Sequence, residues 1–130
     1  MVNTYISTVG MSRADWLKAR QSGIGGSDSP ALVLPREVYS WSRPKDIYKS
    51  KVSEPDETSP LACRVGSFLE PFVAELFTEA TGLKVHRLNK IIVSGENPFM
   101  FANIDRKLYG VDYGLEIKTT TVYNDRKFTE

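Results

Sequence analysis

The chain has 130 residues, is 41% hydrophobic and 25% charged, and carries Lys+Arg 17 against Asp+Glu 16, a formal net charge of +1. This is enough chain for one domain with its own core, and too ordinary a composition for a disordered or fibrous protein. The balanced charge argues neither for nor against nucleic acid, the single cysteine (Cys63) excludes a disulfide framework or Cys-ligated cluster, and no apolar run is long enough for a membrane span.

A soluble, cytoplasmic protein is therefore expected. Met1–Gly10 lacks a signal peptide's apolar core and reads as an extended lead-in. Ser12-Arg13-Ala14-Asp15 resembles a capping box with Asp in the Glu position, and Trp16, Leu17 and Ala19 follow at apolar spacing. A helix over about 13–21 is predicted. The glycine-rich stretch Ser22-Gly23-Ile24-Gly25-Gly26 then leads to Ser27 or Asp28 as N-cap, with Pro30 in the first turn of a short apolar helix. Such a loop can receive an anion or can serve as a tight connection; both readings stand.

Tyr39 to Tyr48 reads as a loop and a helix begun by Pro44, and Lys51 to Ser59 as a mobile polar loop. From about Pro60 to Ala80, Leu61, Val65, Phe68, Leu69, Phe72, Val73, Leu76 and Phe77 recur at helical spacing. Pro71 is expected to kink or restart that helix, and Thr81-Gly82 to stop it. Lys84–Val93 reads as one or two strands, closed by a turn at Gly95–Pro98. Helices followed by an antiparallel meander predict an α+β fold in a single domain over 1–130.

The stretch with most chemistry is Phe101 to Thr121. An apolar run, Phe99 to Ile104, ends at Asp105, Leu108–Gly114 reads as a turn, and Leu115, Ile117 and Thr119 then alternate with Glu116, Lys118 and Thr120. In a strand, Glu116 and Lys118 leave on one face while Leu115 and Ile117 enter a core. Pairing this strand with 99–104 would bring Asp105 beside Glu116. Two neighbouring carboxylates repel unless a divalent cation joins them, and oxygen ligands suit Mg²⁺ or Mn²⁺.

An Asp followed by Glu-x-Lys on adjacent strands resembles the PD-(D/E)XK nucleases. Four segments, in one order, resemble the lambda-exonuclease-like (YqaJ) viral recombinase family. They are Arg20 with Gly23–Asp28, Arg64–Pro71 with its G-x-x-x-E-P pattern, Phe101–Asp105, and Leu115–Thr119 with its E-x-K pattern. The resemblance implies a PD-(D/E)XK, restriction-endonuclease-like core that degrades DNA with Mg²⁺ or Mn²⁺. It implies that Asp105, Glu116 and the Ile117 carbonyl hold the metal, with Glu70 as a further acidic group, and that Lys118 positions or deprotonates the attacking water. Arg20 and Ser27 resemble the residues that receive a terminal 5′-phosphate. The implied partners are double-stranded DNA ends, a second copy of the chain and a single-strand annealing protein, in a bacterial or phage-infected cell.

Two features depart from the family pattern. Asp105 is followed by Arg106 where Asp-Gly is usual, so Arg106 is expected to contact a phosphate or alter the turn. Thr119–Glu130 is too short for the elements that normally follow, so the C-terminal part of the fold is expected to be missing and the sheet over 84–121 to keep an open edge for a neighbouring chain. Three functions remain open: an exonuclease, 5′ to 3′, in phage-type recombination; a non-catalytic DNA-end-binding or assembly module; and a related endonuclease. His86, Trp16 and Trp41 have plainer readings, as an exposed strand residue and as packing aromatics.

Overall fold

The computed structural model describes residues 2–120. In chain order the elements are β1 (Thr4–Ser7), α1 (Arg13–Arg20), β2 (Ile24–Gly25), α2 (Ser29–Val33), α3 (Pro44–Val52) and α4 (Leu61–Thr81). They continue with β3 (Val85–His86), β4 (Lys90–Val93), β5 (Met100–Asn103), β6 (Arg106–Leu108) and β7 (Gly114–Leu115). The chain is mixed α/β and forms two compact units, each made from two separated stretches. One comprises the residues up to Glu57 with Asn89–Asn103; the other comprises Thr58–Leu88 with the chain from Ile104 onward. No described helix is long and apolar enough to cross a membrane.

The first unit is built on a sheet of order β1-β4-β5-β2. β1 pairs antiparallel with β4 (Tyr5↔Ile92) and β4 with β5 (Ile92↔Ala102), while β2 joins β5 in parallel (Gly25↔Phe101). Ile91 and Phe101 are buried there. The lead-in is thus an edge strand, and the glycine-rich stretch contributes a strand to the sheet. α1 begins as its capping residues predict: Ser12 Oγ accepts from the Asp15 amide at 3.1 Å, and the Ser12 hydroxyl donates to Asp15 Oδ2 at 2.7 Å. α3 continues to Val52, so Lys51 belongs to a helix and not to the polar loop expected for it.

The parallel contact needs glycine. A Cβ on Gly23 would lie 2.3 Å from the Phe99 carbonyl oxygen, and one on Gly25 would lie 2.8 Å from the Phe101 ring. A Cβ on Gly26 meets nothing within 4 Å.

The second unit joins α4 to an antiparallel sheet of order β3-β6-β7. α4 passes through Pro71 as one helix and ends at Gly82, whose φ of 73° is the left-handed cap that a side chain resists; its amide donates to the Thr78 carbonyl. The eight apolar positions that marked this helix do not share one fate. Leu69, Val73 and Phe77 are half-buried, whereas Leu61, Val65, Phe68, Phe72 and Leu76 are exposed.

The hairpin differs from the one expected. Phe99–Ile104 does not pair with the E-x-K segment: β5 lies between β4 and β2, and the partner of β7 is β6, in register Arg106↔Leu115. β7 itself covers only Gly114–Leu115, so Glu116 to Thr120 carry no ladder. The alternation survives in burial, with Leu115 and Ile117 half-buried and Glu116 and Lys118 exposed. Across the turn, Lys107 bonds Asp112 at 2.8 Å; that hydrogen bond first, and the lysine charge second, hold the Asp112 carboxyl below its ordinary 3.8. The folded carboxyl is the stronger acid, so its small contribution is present above the unfolded pKa and is lost as pH falls through the lowered value. The expectation of an open edge beyond the E-x-K segment falls in part on residues 121–130, outside the described residues.

The glycine contacts give a direct comparison. Gly23→Ala should lower unfolding free energy by about 2–3 kcal/mol, because backbone must shift, while Gly26→Ala should be neutral or stabilise by less than about 1 kcal/mol. Urea unfolding of both variants checks this; equal effects would show that the β2–β5 approach is not tight.

Candidate functional site

The residues singled out by their chemistry form one set in each unit. In the first, Arg20 ends α1 and Ser27 follows β2. Arg20 Nη2 donates to Ser27 Oγ at 2.8 Å. The guanidinium lies over the Trp16 ring, 4.6 Å from its centroid, and 5.9 Å from that of Phe101. Trp16 precedes Arg20 by one helical turn, the spacing at which side chains on a helix meet. Stacking fixes the guanidinium plane, and Ser27 uses one of its five N–H donors.

Asp28 does not act as the N-cap expected of it. It occupies that position at α2, but its Oδ2 accepts from the Gly25 amide at 2.9 Å and from Lys51 Nζ at 2.7 Å. The same Lys51 Nζ donates to the Arg20 carbonyl oxygen at 2.9 Å. The Asp28 and Lys51 side chains are only 13% and 16% exposed, so this is a largely desolvated pair. Since a carboxylate takes the Gly25 amide and α2 has five residues, the glycine-rich loop is not a helix-terminal anion cradle. The signal for Lys51 was legible in principle. Pro44, Ile47 and Lys51 recur on one face of a Pro-initiated helix, but a charged residue at the end of such a face reads as solvated.

In the second unit, Asp105 Oδ2 accepts from the Ile117 amide at 2.7 Å. Asp105 lies one residue beyond the last β6–β7 pair, Arg106↔Leu115, so the shift of partner strand still leaves it facing the E-x-K segment. Lys118 Nζ bonds Glu116 Oε1, which brings those two side chains together without a strand ladder. Glu70 is engaged elsewhere. Arg106 Nη1 donates to Glu70 Oε1 and, at 2.7 Å, to the Asp105 carbonyl oxygen, and Arg87 Nη2 lies 3.8 Å from the same Glu70 oxygen. The Arg106 side chain is 6% exposed, so it is an internal anchor and not the phosphate contact that was one of the two expectations for it.

Gly66 stands one turn before Glu70, and a Cβ there would lie 3.2 Å from Thr119 Oγ1. The G-x-x-x-E spacing thus sets a small residue and an acid on one face of α4, against the E-x-K segment and Arg106 respectively. Arg106 could have been suspected from its place beside Asp105; its burial could not.

Among the described residues, no group of three or more His, Cys, Asp or Glu converges as a metal cage. The donor chemistry nevertheless suits a hard cation, since Asp105, Glu116 and the Ile117 carbonyl are all oxygen donors and neighbours through the Asp105–Ile117 bond.

The chain is thus mixed α/β, with an arginine–serine pair in one unit and an Asp/Glu-x-Lys set in the other. The chain matches the YqaJ-like viral recombinase domain over residues 15–129 and belongs to that family. It is also 35% identical over 122 residues to the protein named "Uncharacterized protein YqaJ" from Bacillus subtilis (strain 168). That match takes in 92% of this chain and 37% of the relative, so the chain spans little more than a third of the relative's length. No solved structure matches.

The buried arginine makes a stability test possible. Glu70→Gln should destabilise by about 2–3 kcal/mol, because it leaves a guanidinium out of water without its counter-charge. Glu75→Gln, at an exposed position of the same helix, should cost less than about 0.5 kcal/mol. Denaturant unfolding of the two variants measures the difference.

Proposed function

We propose that this chain is the nuclease part of a recombination exonuclease with a PD-(D/E)XK core, hydrolysing DNA phosphodiesters from duplex ends, 5′ to 3′, with Mg²⁺ or Mn²⁺. The observation that carries this reading is the Asp105 carboxylate on the Ile117 amide, with Glu116 and Lys118 on either side of Ile117. Asp105, Glu116 and the Ile117 carbonyl are the proposed metal ligands. Glu70 is already paired with Arg106 through Oε1. A bound cation would polarise the phosphate oxygens and make water more acidic.

The chain's own groups account for the remaining chemistry. Lys118 orients the attacking water and stabilises the negative charge that develops as its proton leaves. Attack at phosphorus breaks the bond to O3′, which departs as a hydroxyl and leaves a 5′-phosphate on the shortened strand. That monoester, with about −1.5 to −2 charges, is the ligand that a stacked arginine and a serine hydroxyl fit. DNA ends, a second copy of the chain and a single-strand annealing protein are the proposed partners.

A second reading, a DNA-end-binding module without hydrolysis, is favoured by one observation: Glu116 and Glu70 are each already paired with a cation. Incubation of linear and circular duplex with Mg²⁺ separates the readings. Loss of linear DNA alone supports the exonuclease, cutting of circles makes it an endonuclease, and no loss leaves the binding module. Glu116→Gln should abolish both hydrolysis and Mn²⁺ binding by calorimetry. Lys118→Ala should keep Mn²⁺ binding while losing at least about 100-fold in rate, the usual scale of a lost acid–base group. Unmutated rates in Lys118→Ala would rule out this mechanism.

A further inference from the structure

Lys51 is turned inward, and both of its bonds go to the backbone and loop that present the phosphate residues. The carbonyl of Arg20 is among the last four of α1, which have no partner within the helix; Lys51 Nζ supplies one. The same nitrogen pairs with Asp28, whose Oδ2 also holds the Gly25 amide. Ser27 lies between Gly25 and Asp28, so the carboxylate closes the loop around it. One ammonium therefore ties down the backbone that carries the guanidinium and the loop that carries the hydroxyl. Phe101 completes the arrangement, with its ring centroid 5.5 Å from Lys51 Nζ and 5.9 Å from the Arg20 guanidinium.

We propose that Lys51 is the positioning residue of the 5′-phosphate subsite, holding Arg20 and Ser27 at the separation a terminal phosphate monoester requires; the proposal rests on the 5′-phosphate reading above. Charge leads to the same residue. Arg20, Lys51 and Asp28 together carry one net positive charge, which attracts a phosphate. Without Lys51 the sum is zero, and Asp28 becomes an unmatched, largely buried carboxylate next in sequence to Ser27. It then repels the ligand and competes with Ser27 for the guanidinium. Lys51 acts through other residues, so its removal should lower discrimination between ends more than it lowers DNA binding in general.

The test measures binding of the full chain to duplexes that differ only in a 5′-phosphate or 5′-hydroxyl end, in EDTA so that nothing is cleaved. The quantity read is the ratio of the two dissociation constants, which partial unfolding does not change. Lys51→Met should reduce the phosphate preference about fivefold, the factor for about 1 kcal/mol. Lys51→Arg, which can keep the pair with Asp28, should hold the preference within about twofold on the same scale. If Lys51→Met does not fold, Lys51→Gln removes the same charge while keeping a polar side chain and should also reduce the ratio.

An unchanged ratio in Lys51→Met, or in Lys51→Gln where that variant stands in, overturns the proposal even if both affinities fall together. Where Arg20→Ala still abolishes the preference, the 5′-phosphate reading survives that failure. Equal affinity for the two ends in the unmutated protein defeats the reading and the proposal with it.

Discussion

A guanidinium removed from water must be matched by charge and by hydrogen-bond acceptors, and Arg106 imposes that condition on the second unit. Its partners are the Glu70 carboxylate of α4 and the carbonyl of Asp105. Because Arg106 begins β6 and Asp105 precedes it, fixing the guanidinium also fixes the residue whose carboxylate receives the Ile117 amide. A connected path runs from α4 through Glu70, Arg106 and Asp105 to the E-x-K segment. A pair of this kind adds little stability relative to an apolar replacement, but half of it alone is costly, so the two residues depend on each other. The arginine that stands where the family pattern has glycine thus works as an internal strut, and Glu70 is its counter-charge.

Local signals were legible where they act within one turn of helix. Ser12 and Asp15 announced α1, Pro44 began α3, and Gly82 ended α4, because capping chemistry is decided by neighbours in sequence. The sheets were harder to read. Their strands have two to four residues, too few for periodicity to specify a partner. β5 looked like the natural mate of the E-x-K segment, yet its partners are β4, close behind it in sequence, and β2, which the glycines conceal. Asp105 still meets the E-x-K segment because β6 follows it directly and carries the hairpin. In α4, spacing marked the apolar residues but gave no means of telling the half-buried row from the exposed one, since both sides of the helix are apolar.

The site residues divide in the same way. Asp105 with Glu116 and Lys118 stood out by residue type and order, and Arg20 with Ser27 only by the family resemblance. The roles of Asp28, Lys51 and Arg106 were not legible in the sequence, because they come from burial. A charged side chain is solvated by default, and only packing converts it into a connector. Asp28 shows the consequence. Its sequence context makes it a helix cap, but a half-buried ammonium offers its carboxylate a stronger partner than α2's own amides, and the side chain turns away from the helix.

Charge pairing leaves each set with one group of a particular sign. In the first unit, Lys51 and Asp28 neutralise each other, and Arg20 remains as a cation whose contacts are a hydroxyl and aromatic rings. In the second, Glu116 is matched by Lys118 and Glu70 by Arg106, while Asp105 is met by a backbone amide and, among the described residues, by no cation. The residual positive charge suits a phosphate monoester, and the residual carboxylate suits a divalent cation. The pairs are therefore more than competitors for ligands. By removing Asp28 and Glu70 from the local field, they leave Arg20 and Asp105 to set its sign. A proposed nuclease centre also gains from the Glu116–Lys118 pair, because a carboxylate drawn toward a cation releases the ammonium beside it, where the chemistry needs a donor for water.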